Sequence, residues 1–147
     1  MDPFALLFIR PSEFWKGCWR TNAPPADPRN PSRRARAEEY LLERKLFRRK
    51  STGEVVDPAW LQFSFPTRWH YDVLRGLEYF RSTGDPPDPR VSEAIELLRS
   101  KQQANGTWLL ENTHSGAVHF TLEDGDGRPS RWNTLRTLRV LRWYEHE

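Results

Sequence analysis

A histidine and an aspartate near the start of a predicted helix are the acid–base candidates of this sequence. They are His70 and Asp72. A buried aspartate beside a histidine can transfer protons to and from a substrate, so both residues are candidate catalytic groups. An aspartate in the first turn of a helix also interacts favourably with the helix dipole and needs no chemical role. We favour this second interpretation of Asp72.

The residues that could bind a metal ion are scattered along the chain. They are Cys18, His70, Asp72, His114, His119 and His146. Their spacings do not match the compact ligand spacing of zinc sites. Asp124 and Asp126 lie in a glycine-rich turn, but the other ligands of an EF-hand loop are absent. The sequence therefore predicts neither a metal site nor a cofactor.

Arginine and tryptophan share one side of the last predicted helix when residues are placed at 100° intervals. That side carries Arg131, Trp132, Arg136, Arg139, Arg142 and Trp143, and the opposite side carries Thr134, Thr137, Leu138, Val140 and Leu141. If the arginine side lines a concave cavity, it can bind a pyrophosphate headgroup. If it faces water, it is a solvated surface of arginine stacked on tryptophan. We do not expect nucleic acid as a partner, because the net charge is only +3 and no nucleic-acid motif is present.

Composition limits the classes of protein to which the chain can belong. It has 147 residues, of which 37% are hydrophobic and 13% aromatic, and this length predicts one domain. No apolar run approaches the ~18 residues of a membrane span. Cys18 has no partner for a disulfide bond. The apolar run 4–9 has no basic residue before it and is too short for an export signal, so we expect a cytoplasmic protein.

Proline and the apolar period divide the chain into elements. Repeated prolines predict an irregular segment over residues 1–31, followed by a helical domain over 32–147. The first helix is predicted from Ser32 or Arg33 to Lys50. The second is predicted from Thr67 to Arg81. Its expected apolar stripe is Trp69, Val73, Leu77 and Phe80.

The rest of the helical domain contains two further helices separated by an extended segment. Asp88 precedes proline and predicts a helix from Pro89 to Gln103. The apolar stripe of this helix is Val91, Ala94, Ile95 and Leu98. Alternation of apolar and polar residues predicts a short β-ribbon or extended loop at about 107–122. The last helix is predicted from Ser130 to Tyr144.

A glutamine, a glycine and a tryptophan follow the third helix at the spacing Q-x-x-x-G-x-W. They are Gln102, Gly106 and Trp108. We expect the Gln102 amide to point inward and to hydrogen-bond to unpaired carbonyls at the helix end. Gly106 permits a sharp reversal, and Trp108 can fold back over the turn as an apolar cover.

This pattern resembles the QW motif of the terpenoid cyclase and protein prenyltransferase superfamily. Leu98 fits the aliphatic position of that motif, whereas Glu93-Ala94 stands where the motif begins with Lys or Arg followed by Gly. The stretch from Phe65 to Trp143 resembles bacterial squalene-cyclase-like proteins, with alternating inner and outer helices. Gly17-Cys18-Trp19 repeats the second half of the motif.

The resemblance implies an all-α fold that is a partial α/α toroid, that is, an arc of antiparallel helical hairpins. It implies the C-terminal fragment of a longer protein, an isoprenoid or other lipid as ligand, and a second copy or partner chain that completes the toroid. The acidic D-x-D-D motif of the cyclases and the zinc ligands of the prenyltransferases are absent, so we expect lipid binding without catalysis. The alternative is a non-catalytic helical-repeat module that binds a protein. The candidate ligand-binding residues are Trp69, Tyr71, Arg131, Trp132 and Arg136.

Overall fold

The computed structural model describes residues 31–116 and 119–146. These residues form four α-helices and one two-stranded antiparallel sheet, which confirms a mainly helical fold with a short β-element. The elements are α1 (Pro31–Leu42), α2 (Val73–Thr83), α3 (Ser92–Ser100), β1 (Trp108–Leu109), β2 (Pro129–Ser130) and α4 (Arg131–Glu145). Short 3-10 turns occupy Pro58–Leu61 and Pro89–Val91. The predicted irregular segment lies outside the described residues, except for Pro31, which begins α1. The Gly17-Cys18-Trp19 repeat also lies outside them.

Helix α1 ends at Leu42, so the prediction of a helix to Lys50 is wrong. The backbone reverses at Lys45 and Leu46, which both have positive φ angles (48° and 72°). The Leu46 N–H donates to Leu41 O at 3.0 Å, and the Lys45 N–H donates to Leu42 O at 3.0 Å. This is the hydrogen-bond pattern of a Schellman motif, and the buried side chains of Leu41 and Leu46 make its usual apolar contact. The reversal places Leu46 and Phe47 in the core, where a continuous helix would turn them away.

Helix α2 begins six residues later than predicted, at Val73. Asp72 is its N-cap and accepts a hydrogen bond from the Arg75 N–H at 2.7 Å. Trp69 therefore precedes the helix and is 69% exposed, so its predicted place on the apolar stripe is wrong. The remaining stripe residues, Val73, Leu77 and Phe80, are buried as predicted.

The N-terminal half of the third predicted helix is confirmed. Asp88 caps the 3-10 turn that leads into α3 by accepting from the Arg90 N–H at 2.8 Å. The whole predicted stripe is fully buried: Val91, Ala94, Ile95 and Leu98. The α-helix ends at Ser100 instead of Gln103, because the chain turns there toward β1.

The β-element has a different partner from the one predicted. Trp108 pairs with Ser130 and Leu109 with Pro129, immediately before α4. The second half of the predicted ribbon does not supply the second strand. Val118 lies outside the described residues, and Phe120 is 69% exposed. The pairing continues beyond the strands through the Leu110 N–H, which donates to Arg128 O at 2.9 Å.

Helices α2 and α4 lie side by side and run in the same direction. The Arg136 Nε donates to Glu78 at 2.8 Å, and the Trp143 Nε1 donates to Asp85 O at 3.1 Å. Later residues of α4 thus meet later residues of α2. Helix α3 returns antiparallel to α2. Lys101, at the end of α3, donates to Glu111, and Glu111 also accepts from the Phe63 N–H near the start of α2. The end of α3 therefore lies beside the start of α2.

Trp108 joins the end of α3 to the start of α4. Its side chain is 0% exposed, and its indole Nε1 donates to Leu98 O at 2.7 Å. Its backbone N–H donates to the Thr134 hydroxyl at 3.0 Å. Gly106 has the positive φ of 79° that the turn requires. Gln102 is exposed, so its predicted inward orientation is wrong, and the indole satisfies a carbonyl at the helix end in its place.

We predict that Trp108→Ala lowers the free energy of unfolding by about 3–5 kcal/mol, because it leaves a cavity and removes the indole hydrogen bond at the end of α3. Urea denaturation followed by circular dichroism measures the change. Trp69→Ala removes the same side chain from an exposed position, and its free energy of unfolding should stay within about 0.5 kcal/mol of that of the original protein. Equal effects of the two substitutions would contradict the role given to Trp108.

Candidate functional site

A buried cluster of polar side chains lies between α2, α4 and the segment that precedes α2. Its members are Ser64, Asp72, Asn133 and Arg136, all below 9% exposure, with Glu78 at the edge. The Asn133 side-chain amide donates to Phe63 O and Leu109 O. The cluster therefore ties β1 and the start of α4 to the loop before α2.

Arg136 lies in the interior and not on a ligand-binding surface, so its predicted place in the ligand site is not borne out by its contacts. Its guanidinium donates to Glu78 at 2.8 Å, to Ser64 O at 3.0 Å and to Asn133 Oδ1 at 3.1 Å. Asp72 is 3.9 Å away. These contacts turn the Arg136 side of α4 toward the interior, whereas the apolar pattern alone would place that side outside.

The contacts of Asp72 match the capping interpretation and not a catalytic one. One carboxylate oxygen accepts from the Arg75 N–H, and the other accepts from the N–H and the hydroxyl of Ser64. Burial raises the pKa of Asp72, while Arg136 and the hydrogen bonds from Arg75 and Ser64 oppose that increase. Both oxygens thus have internal donors, and the carboxylate is only 1% exposed.

His70 is exposed and belongs to a different group of rings. Its imidazole stacks on His114 with 3.7 Å between ring centroids, and Trp69 lies tilted beside it at 5.1 Å. Burial lowers the pKa of His114, and the neighbouring charges of His70 and Arg68 lower it further. Asp72 and Asp126 act in the opposite direction. The structure gives no hydrogen bond between His70 and Asp72 within residues 31–116.

Two other predicted ligand residues, Tyr71 and Trp132, make aromatic contacts within the fold. Tyr71 donates its hydroxyl to Leu46 O at 2.9 Å and packs edge-on against Trp60. A Cβ at Gly76 would lie 2.5 Å from the Tyr71 hydroxyl, so a larger residue there would require the Tyr71 side chain to shift. Trp132 stacks on Phe65 with 5.1 Å between ring centroids near the start of α4.

The outward face of α4 combines apolar and cationic side chains. Leu135 and Leu138 are 46% and 48% exposed. Arg131, Arg139 and Arg142 lie on the same face and have no ion pair with any residue that the structure describes. The helical wheel places Leu138 on the side opposite the arginines, but in the structure it lies on the outward face with them, because Asn133 and Arg136 turn the other side of the helix toward the core. The candidate residues drawn from the sequence do not include Leu135.

Two open surface depressions flank this face. One has a volume of about 540 Å³ and is lined by Arg81, Arg139, Arg142, Trp143 and His146; we call it the arginine depression. Arg81 comes from α2, so a helical wheel of α4 alone does not reveal it. The other, between α3 and α4, has a volume of about 600 Å³.

The described residues contain no group of three or more His, Cys, Asp or Glu side chains that could hold a metal ion. Within the same ranges, no helix is both long enough and apolar enough to cross a membrane. Comparison with protein-family models, characterised proteins and solved structures gave no match. The resemblance to terpenoid cyclases and prenyltransferases therefore stays a prediction from the motif.

We predict that Arg136→Met lowers the free energy of unfolding by about 3–5 kcal/mol, because Glu78, Ser64 O and Asn133 lose a shared donor in a buried place. Arg139→Met, on the exposed side of the same helix, is the control and should change stability by less than about 0.5 kcal/mol. Chemical denaturation measures both values. If Arg136→Met is as stable as the control, the cluster does not hold α4 in place.

We predict that acidification destabilises the protein through the stacked histidines. The pKa of His114 is lowered in the folded state, so the unfolded chain takes up the proton first as pH falls. The stabilising contribution is complete above the unfolded pKa of about 6.5 and is lost as pH falls through the folded pKa. His114→Phe keeps a stacked ring without a charge.

The measurement is the melting temperature from about pH 7.5 to about pH 5. The melting temperature of His114→Phe should decrease less over this pH range than that of the original protein. His119→Phe, at an exposed position with no described ring contact, should follow the original protein. An unchanged slope in His114→Phe would show that other groups cause the pH dependence.

Proposed function

We propose that this chain is an α/α-toroid-like helical-repeat protein that binds an isoprenoid-related lipid and is not a catalyst by itself. The observation that carries the proposal is the outward face of α4, where Leu135 and Leu138 lie among arginines without ion pairs in the described structure. An apolar stripe beside cationic groups matches an amphiphile with a hydrocarbon chain and an anionic headgroup. The resemblance of the QW-like turn to terpenoid cyclases and prenyltransferases points to an isoprenoid chain.

The order of the helices supports the toroid part of the proposal. Helices α2 and α4 run in the same direction and α3 returns between them in sequence, as expected for two inner helices and one outer helix of an arc. A helical repeat at the end of an array has an uncovered face that a neighbour normally buries. We therefore propose that a second copy or partner chain covers α4, and that the lipid lies between the two.

The proposal includes no catalysis because of the contacts that the two acid–base candidates make. Asp72 accepts hydrogen bonds from Arg75 and Ser64 at the start of α2. His70 faces the surface and contacts His114 instead. These two groups give no reason to assign proton transfer to this chain.

The second candidate function is protein binding. The observation that favours it is that the depressions beside α4 are open, whereas a small lipid normally lies in an enclosed cleft. Exposed apolar residues rimmed by polar ones are also typical of protein interfaces. Under this alternative, a helix of another protein chain packs against the outward face of α4.

Binding of prenyl diphosphates of increasing chain length tests the lipid proposal. We expect geranylgeranyl diphosphate to raise the melting temperature more than farnesyl or geranyl diphosphate, with affinity increasing about tenfold or more per five-carbon unit as apolar area is buried. Inorganic pyrophosphate is the headgroup control. The double substitution Leu135→Glu with Leu138→Glu should remove the dependence on chain length, and Phe120→Ala, exposed elsewhere, should keep it.

A different result supports protein binding and contradicts the lipid proposal. In that case all chain lengths bind equally or not at all, and sedimentation velocity shows a stable self-complex. The double glutamate variant then dissociates that complex, whereas Phe120→Ala leaves it intact.

A further inference from the structure

The arginine depression collects positive charge from two helices that are distant in sequence. Arg81 lies in the last turn of α2, and Arg139 and Arg142 lie in the C-terminal half of α4. His146 and the Trp143 ring complete the lining. None of the described residues that line it carries a carboxylate.

The acidic residues of the same elements are paired with other cations. Glu78 of α2 accepts from Arg136 at 2.8 Å. Asp85, which follows α2, lies 3.5 Å from Arg34, and Glu145 of α4 accepts from Arg99 at 3.1 Å. The arginines of the depression thus have no internal counterion in the described part of the chain.

Arg81 adds a second observation. Its Nε is buried and has no hydrogen-bond partner among the described residues. A buried donor without a partner is unfavourable, and Arg81 is one of the residues that line the depression. An anionic ligand in the depression would supply oxygen acceptors beside this arginine.

Interaction with helix ends explains only part of this charge. Arg81 and Arg142 are each in the last turn of a helix, where carbonyl oxygens favour a cation. Arg139 precedes the last turn of α4, and its charge is not accounted for in this way.

We infer that the arginine depression binds a phosphate or diphosphate group, supplied by a soluble phosphate ester or by a lipid headgroup. Guanidinium groups present paired N–H donors that match the oxygens of phosphate. The Trp143 indole is held in place by its hydrogen bond to Asp85 O and can contact the apolar part of the molecule that carries the phosphate. The inference does not depend on recognition of an isoprenoid chain.

Calorimetric titration of the full chain with inorganic pyrophosphate is the first test. We expect Arg139→Gln to weaken binding about tenfold or more, because it removes a charged donor from an exposed place with little effect on folding. Arg81→Gln should have a similar effect. Arg128→Gln is the matched control, since it removes the same charge from an exposed position before the start of α4 and should leave the affinity unchanged.

Flotation with phosphatidylcholine vesicles that contain phosphatidic acid identifies the source of the phosphate group. Binding of pyrophosphate that depends on Arg139 supports a soluble ligand, and vesicle binding with the same dependence supports a headgroup. If the protein binds neither pyrophosphate nor the vesicles, the inference is overturned. It is also overturned if Arg128→Gln weakens binding as much as Arg139→Gln. Pyrophosphate binding without any effect of prenyl chain length would sustain this site and contradict the lipid proposal.

Discussion

The hydrogen bond from the Trp108 indole to the Leu98 carbonyl positions β1 and α4 against the end of α3. The Leu98 carbonyl accepts from the Lys101 N–H at 3.3 Å, and the indole adds a second, shorter hydrogen bond at the same place. The ring itself is fully buried at the end of α3. The same residue uses its backbone to pair with Ser130 and to bind the Thr134 hydroxyl. Because Ser130 is the N-cap of α4, one tryptophan determines where that helix begins and how it meets α3. Both candidate binding surfaces lie on α4, so they depend on this contact.

The rotation of α4 about its own axis is determined by polar residues. Apolarity alone would place Leu138 inside and Arg136 outside. Exposing a leucine to water nevertheless costs less free energy than leaving a carboxylate, a backbone carbonyl and an amide oxygen without a donor. Arg136 satisfies Glu78, Ser64 O and Asn133 together. Once these bonds form, Leu138 and its neighbour Leu135 must face outward. The surface that we propose as a lipid site is thus a consequence of the buried cluster.

The sequence was informative where a local interaction determines the structure. Asp88 before proline predicts the start of the third helical segment, and the period of Val91 to Leu98 predicts its buried side, because both signals depend on nearest neighbours alone. It was uninformative where distant residues compete for the same place. The positive φ angles of Lys45 and Leu46 are stabilised by burial of Leu46 in the core, which no local rule anticipates. The arginine depression joins α2 to α4, so it appears only after the two helices are placed side by side.

The two proposed ligands make different demands on the same helix. A hydrocarbon chain on Leu135 and Leu138 gains little unless another surface covers it, since half of its area would stay in water. A phosphate group in the arginine depression needs no such cover, because charge-assisted hydrogen bonds form at an open surface as well. Phosphate binding can therefore precede assembly with a second protein chain, whereas binding of the hydrocarbon requires that assembly. An amphiphile held first by its headgroup would lay its hydrocarbon along α4 and make that face more apolar. Binding of the ligand and docking of the covering chain would then strengthen each other.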